Sequence, residues 1–283
     1  MKNQEVLNKI KDTGWNFYPV PRGLKNHDPK PGDKFGILAA PNEFTQNALD
    51  QKRNDLNNVI VNIREQKCYR DDLLKHKYIS EEFLMFMSQM DRCKLDSDDI
   101  YNQERVNCLI LEDFNTTGLT GDASYFKALL SDGSRNGIHI FNNQVGNMGK
   151  LNDANLGGSE GEGRSTFCIA SEISTFFYYS VNENHEECIF GVCYSGIFSD
   201  EKGENEYPSI ISYGDIVHDD QSHWCVPITD KEKIKKFKDT FNITRKNNEP
   251  GLSVVIPYKD DQIKIEEITK NIIVNYRIPI LRG

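Results

Sequence analysis

Residues 175–194, TFFYYSVNENHEECIFGVCY, decide the architecture. Thr175 to Val181 and Cys188 to Tyr194 are aromatic and β-branched runs of strand length. The polar stretch NENHEE between them is a turn, so the pair reads as a hairpin. Working outward, Leu252 to Tyr258, Val106 to Leu111 and Val59 to Ile63 are further short apolar runs that predict strands. Amphipathic stretches separate them. Residues 80–92, SEEFLMFMSQMDR, open on Ser80 and two acidic residues, as a helix start requires. Helices are also predicted from Phe35 to about Asn54, Ser165 to Ser171, Lys231 to Asp239 and Gln262 to Tyr276. Helices and strands alternate irregularly and hairpins dominate the second half. That predicts an α+β fold, a mixed β-sheet covered by helices, rather than a doubly wound parallel sheet.

The chain has 283 residues, of which 34 are Lys or Arg and 43 are Asp or Glu, for a formal charge of −9. Such a length buries a sizeable core without disulfide staples. No run approaches the ~18 consecutive apolar residues of a membrane span, so no membrane partner is expected. The N-terminal MKNQEVLNKIKDTGWNF lacks the apolar centre of a secretory signal. Net acidity argues against coating nucleic acid with the whole surface and leaves room for a local basic patch. Seven cysteines without a CxxC pair indicate neither a disulfide framework nor a zinc ribbon. His185, Cys188 and Cys193 fit no familiar metal spacing, and core thiols are the simpler reading. A cytoplasmic location is the simplest expectation. Residues 1–35, with Pro19, Pro21, Gly23, Pro29, Pro31 and Gly32, read as a lead-in segment. Residues 36–283 read as one domain with a long polar, glycine-rich loop from Asn115 to Arg164.

Three stretches carry candidate chemistry. In EFTQNALDQ, Glu43, Asn47 and Asp50 are spaced four and three apart, so they project from nearly one helix face, opposite Phe44, Ala48 and Leu49. A carboxylate and a carboxamide one turn apart suit a hydrated Mg²⁺, a general base, or simply a solvated face. In LILEDFNTTGLTGD, Asp113 ends an apolar run and precedes a turn built from Asn115, Thr116, Thr117, Gly118 and Gly121. It can accept a hydrogen bond from an amino group such as a purine's, or cap its own loop. In GGSEGEGRSTF, Gly158, Gly161 and Gly163 can turn backbone amides toward an anion. Ser165 and Thr166 open a helix there, and Arg164 adds a positive charge. Gly158 to Ser165 also fits G-x-x-x-x-G-[KR]-S, but the polar residues before it cannot be the strand that a P-loop follows.

Taken in order, these stretches resemble the GHKL ATPase superfamily, which includes gyrase, histidine kinases, MutL and MORC proteins. The stretch from Glu43 to Asp50 matches the family's N-box. Asp113 and Gly118 match its adenine-reading turn, Gly158, Gly161 and Gly163 its lid motif, and GLSVVIP from Gly251 its late strand. The resemblance covers residues 36 to 258. It departs from the pattern at Asn115, where glycine is expected, and at Leu252, which leaves Ser253 as the nearby hydroxyl.

The resemblance implies a Bergerat-type two-layer sandwich, with helices on one face of a mixed sheet and a long glycine-rich lid. It implies that Glu43 activates water, Asn47 holds Mg²⁺ and Asp50 lines the nucleotide site. Asp113, Gly118 and Ser253 would lie at the base, and Gly158, Gly161, Gly163, Arg164 and Ser165 at the phosphates. The implied function is slow, Mg²⁺-dependent ATP hydrolysis driving lid closure and homodimerisation, in a DNA-related or anti-phage defence system alongside partner proteins. A non-hydrolysing nucleotide sensor or scaffold is the alternative. Lys231, Lys235 and Lys238 in KEKIKKFKD form a candidate stripe for DNA phosphates, or a solvated face.

Overall fold

The computed structural model describes residues 4–18, 36, 38–95, 103–124, 129–143, 163–218 and 223–282. The hairpin at the centre of the sequence argument is β4 (Thr175–Val181) and β5 (Glu187–Tyr194). The other strands of the main sheet are β1 (Trp15–Asn16), β2 (Ile60–Tyr69), β3 (Arg105–Phe114), β8 (Ile210–Tyr213) and β11 (Gly251–Ile256). Two small hairpins pair β6 (Phe198–Ser199) with β7 (Glu206–Tyr207), and β9 (Asp215–His218) with β10 (His223–Val226). The main sheet runs β1-β8-β5-β4-β11-β3-β2 and every described pairing in it is antiparallel. The mixed sheet expected from the sequence is corrected accordingly. β11, the last strand in the chain, lies between β4 and β3 and joins the second-half strands to β2 and β3.

The expectation of helices on one face is also corrected. The helices among the described residues are α1 (Gln4–Lys11), α2 (Ala39–Asp50), α3 (Arg70–Lys75), α4 (Glu81–Met87), α5 (Gly137–Asn143), α6 (Gly163–Ile169), α7 (Lys231–Phe241) and α8 (Ile265–Arg282). One apolar cluster joins α1, α3, α4 and α7 to Cys108, Ile110, Phe177, Tyr179 and Val255. The other joins α2, α5, α6 and α8 to Leu109, Leu111, Phe176, Tyr178 and Val254. The described residues therefore form three layers. The cause lies in the strands themselves: all seven residues of β4 and all six of β11 are buried. A sheet apolar on both faces must be covered on both.

Residues 4–18 do not stand apart as a lead-in. Leu7, Ile10, Trp15 and Phe17 are buried, and Trp15 pairs with Tyr213 at the sheet edge. Residues 19–35 lie outside the described residues, as do Gly158, Gly161 and most of the predicted lid. α5 occupies part of the stretch expected to be a featureless loop. α8 bends at Tyr276 (φ −113, ψ 19), because Pro279 cannot donate to the helix and its ring crowds the turn before it. No helix among the described residues is long and apolar enough to cross a membrane.

Candidate functional site

α2 buries Ala40, Phe44, Thr45 and Ala48 and leaves Glu43 and Asn47 half-buried along one flank, with Asp50 exposed a turn further on. Pro41 is tolerated in the first turn, where its missing N–H has no helical partner to lose. Asn47 Nδ2 donates to Glu43 Oε1 at 3.3 Å. Asp50 is engaged on the outer side by Gln46 Nε2 at 2.9 Å. Burial pushes the Glu43 carboxyl above its ordinary range. The Asn47 hydrogen bond opposes that shift and the Asp50 charge adds to it.

The start of α6 lies against this flank. The Glu43 carboxyl group lies directly over Gly163, and a methyl group there would have to push that flexible carboxyl aside. Thr166 Oγ1 donates to the Gly163 carbonyl at 2.6 Å and fixes the first turn of α6. From α8, Tyr276 donates to the Asn42 carbonyl at 2.8 Å. Burial raises the Tyr276 hydroxyl, and the charges of Glu43 and Asp50 raise it further. Glu43 is thus enclosed by residues from α2, α6 and α8 that lie far apart in sequence.

The turn after Asp113 docks on the far end of α2. Thr117 N donates to the Gln51 carbonyl and Arg53 N to the Asn115 carbonyl, both at 3.0 Å. Asn115 takes φ 66, the left-handed conformation its short polar side chain tolerates. Gly118 has φ 66 and lies on the Val181 carbonyl, where any side chain would collide. Asp113 Oδ1 accepts from Leu252 N at 2.7 Å and Thr116 Oγ1 at 2.8 Å, with the Arg245 guanidinium 3.5 Å away. Burial raises this carboxyl against the pull of Arg245.

Two of the expected residues point elsewhere. Arg164 Nη1 donates to the carbonyls of Phe141 and Asn142, and so caps the C-terminal end of α5. Ser253 pairs in register with Glu112 and shares its face, opposite to that of Asp113 and Leu252. There it accepts from Arg245 Nε at 3.0 Å and donates to Glu112 Oε1 at 3.2 Å. Ser165 is buried in α6. A one-residue alternation along β11 settles the side on which the hydroxyl falls.

Arg245, Glu112 and Arg64 escaped the sequence reading. Glu112 is fully buried and accepts from Arg64, Ser253, Thr244 N, Thr244 Oγ1 and Arg245 N. Arg245, 1% exposed, also donates to the carbonyls of Asp113, Glu249, Pro250 and Leu252. Its sequence context, ITRKNNE, resembles any basic surface loop. The one available signal was Glu112 itself, a charge inside an apolar run that needs a buried partner.

A cavity of about 870 Å³ opens beside the Gly118 turn, with Leu119, Ile138, Ser180 and Cys188 inside and Asp122 and Lys231 toward its rim. Glu43, Asn47 and Asp113 do not line it. Burial drives the Cys188 thiol up to about 12, so it is a neutral wall group. Among the described residues no group of three or more His, Cys, Asp or Glu could hold a metal by itself. The Asn47 side-chain oxygen nevertheless fits a hydrated Mg²⁺, which takes one or two protein oxygens and keeps its waters. No family model, curated protein or solved structure matches this chain.

Proposed function

We propose that the flank of α2 facing Gly163 is the centre of a Mg²⁺-dependent nucleoside triphosphatase with ATP as substrate. The observation that carries this reading is the contact between Glu43 and Gly163. It joins an acid–amide pair to the end of the glycine-rich stretch across more than a hundred residues of sequence. A half-buried carboxyl raised by desolvation is a better proton acceptor near neutral pH than an exposed one. In the reaction, a water oxygen attacks the γ-phosphorus and the bond to the β,γ-bridging oxygen breaks. Glu43 takes the water proton, and ADP and phosphate leave. Asn47 orients the acceptor through its 3.3 Å hydrogen bond. Mg²⁺ would be held by Asn47 and would neutralise charge on the phosphates.

The base end is simpler than the resemblance implied. Asp113 Oδ1 already holds Leu252 N and Thr116, so any amino group must use the other carboxylate oxygen. Arg164 and Ser253 are not assigned to the nucleotide. Nucleotide-driven homodimerisation and a defence-system or DNA-linked role remain part of the proposal, resting on the resemblance alone.

Glu43→Ala tests the reading. Titration calorimetry with a non-hydrolysable ATP analogue should give unchanged affinity, while phosphate release falls by roughly 10²–10⁴-fold. Retained turnover would exclude Glu43 as the base. ATP binding without turnover in the wild type would leave the nucleotide-sensor reading standing.

A further inference from the structure

On the sheet face opposite Glu43, a cleft of about 340 Å³ opens between the turns that follow α1 and α3 and the start of α7. Buried Tyr78 and Tyr213 floor it, and Lys75, Lys77, Lys233 and Lys236 stand exposed around it. Asp12 and Asp215 are its acidic lining residues, and Asp215 is spent on Lys233 at 2.9 Å. Lys75, Lys77 and Lys236 have no ion pair among the described residues. Cations converging in a concavity floored by low-dielectric rings focus a positive field, here on a chain whose net charge is −9.

Two local rules are broken at this cleft. Lys77 has φ 61 directly after the cap of α3, a left-handed position where glycine or asparagine is usual; the left-handed residue that ends α7, its C-cap, is Asn242, φ 50. A lysine there strains the backbone, because its Cβ crowds the following carbonyl oxygen. Lys233 lies in the first turn of α7, at the positive end of the helix dipole, where a cation is disfavoured. Local choices that oppose the fold tend to mark functional places. By contrast, the stripe expected from the sequence disperses. Lys235 pairs with Asp239 at 2.7 Å, Lys238 lies 5.1 Å over the Tyr179 ring, and Lys231 belongs to the larger cavity.

We propose that this cleft binds a nucleic-acid strand through its phosphates, without reading sequence. Lysines are point charges without a planar fork. Spread over separate elements, they suit a run of phosphates better than one buried phosphate group.

The test is fluorescence anisotropy of a labelled single-stranded oligonucleotide with the full chain, between about 50 and 200 mM salt. Lys75, Lys77 and Lys236 together should give a log–log salt slope of roughly −2, at about −0.7 per phosphate contact on a single strand. Lys75→Ala/Lys77→Ala/Lys236→Ala should abolish most of that slope and lower low-salt affinity at least about tenfold. Lys231→Ala/Lys235→Ala should bind as wild type, and so should Glu43→Ala, which separates this site from the nucleotide reading. Lys77→Gly, which suits the left-handed backbone, should keep or raise Tm while weakening the strand. A wild type without salt-dependent binding overturns the proposal. So does a control variant that loses as much as the cleft variant. Displacement of the strand by tripolyphosphate at equal phosphate concentration would make this a small-anion site and overturn it too.

Discussion

Two glutamates, Glu43 and Glu112, lie on opposite faces of the sheet, and their surroundings differ in one respect that matters. Glu112 is fully buried and receives hydrogen bonds from Arg64, Thr244, Ser253 and the Arg245 backbone. Glu43 is half-buried and, among the described residues, receives one long hydrogen bond, from Asn47. A carboxylate whose lone pairs are all occupied is a structural anchor, and removing its partners leaves a buried charge exposed to nothing. A carboxylate with spare acceptor capacity in a partly dry place is chemically available. Position in the sequence does not separate the two; the donors around them do.

The contrast is broken most severely at Arg245. Arg245→Ala should destabilise the fold by about 3–5 kcal/mol, because it leaves Asp113 without its cation and opens the end of the sheet. Urea denaturation measures it, and a loss below about 1 kcal/mol would mean that the network is not the anchor described here. Gly163→Ala comes next. Its methyl group must push the flexible Glu43 carboxyl aside, so turnover should fall by about 10²-fold with little change in stability. Wild-type turnover in that variant would show that the position of Glu43 is irrelevant to catalysis.

A subtler separation comes from pH. The folded-state pKa of Glu43 lies above its unfolded value, chiefly through burial. The stability it contributes is fully present below the unfolded pKa of about 4.3 and is lost as pH rises through the raised folded value. Glu43→Gln does not titrate. Its stability relative to wild type should therefore climb across that window and level off above it, as urea midpoints over a pH series would record. A flat difference would place Glu43 in an ordinary solvated environment. The smallest effect is expected at Tyr276→Phe, which removes the bond to the Asn42 carbonyl. It should cost about 0.5–1.5 kcal/mol by thermal melt, with α8 still covering Glu43.

Much of the fold was legible. β4 and β5 were readable because both runs are apolar along their whole length. That same lack of alternation announced cover on two faces, a signal the two-layer expectation passed over. β1 and β6 to β10 were not legible. Segments of two to four residues have no periodicity of their own and exist as strands only through their partners. At the candidate site, the spacing of Glu43, Asn47 and Asp50 followed from helical geometry. The direction of Arg164 did not follow, since a long side chain in a first helical turn can reach several places; here it reaches the end of α5.

The sequence by itself determined the helix that carries Glu43 and Asn47 and the strand that carries Asp113 near its end. These depend on neighbours within a turn or two, where spacing and steric limits act directly. Tertiary structure alone decided that Gly163 meets Glu43, that Arg245 closes the sheet over Asp113 and Glu112, and that Ser253 turns away from the Asp113 face. It also gathered Lys75, Lys77, Lys233 and Lys236 around one cleft. Each of those outcomes joins residues from separate elements. Which donors and charges meet there depends on how the layers stack, a property no local stretch of chain carries.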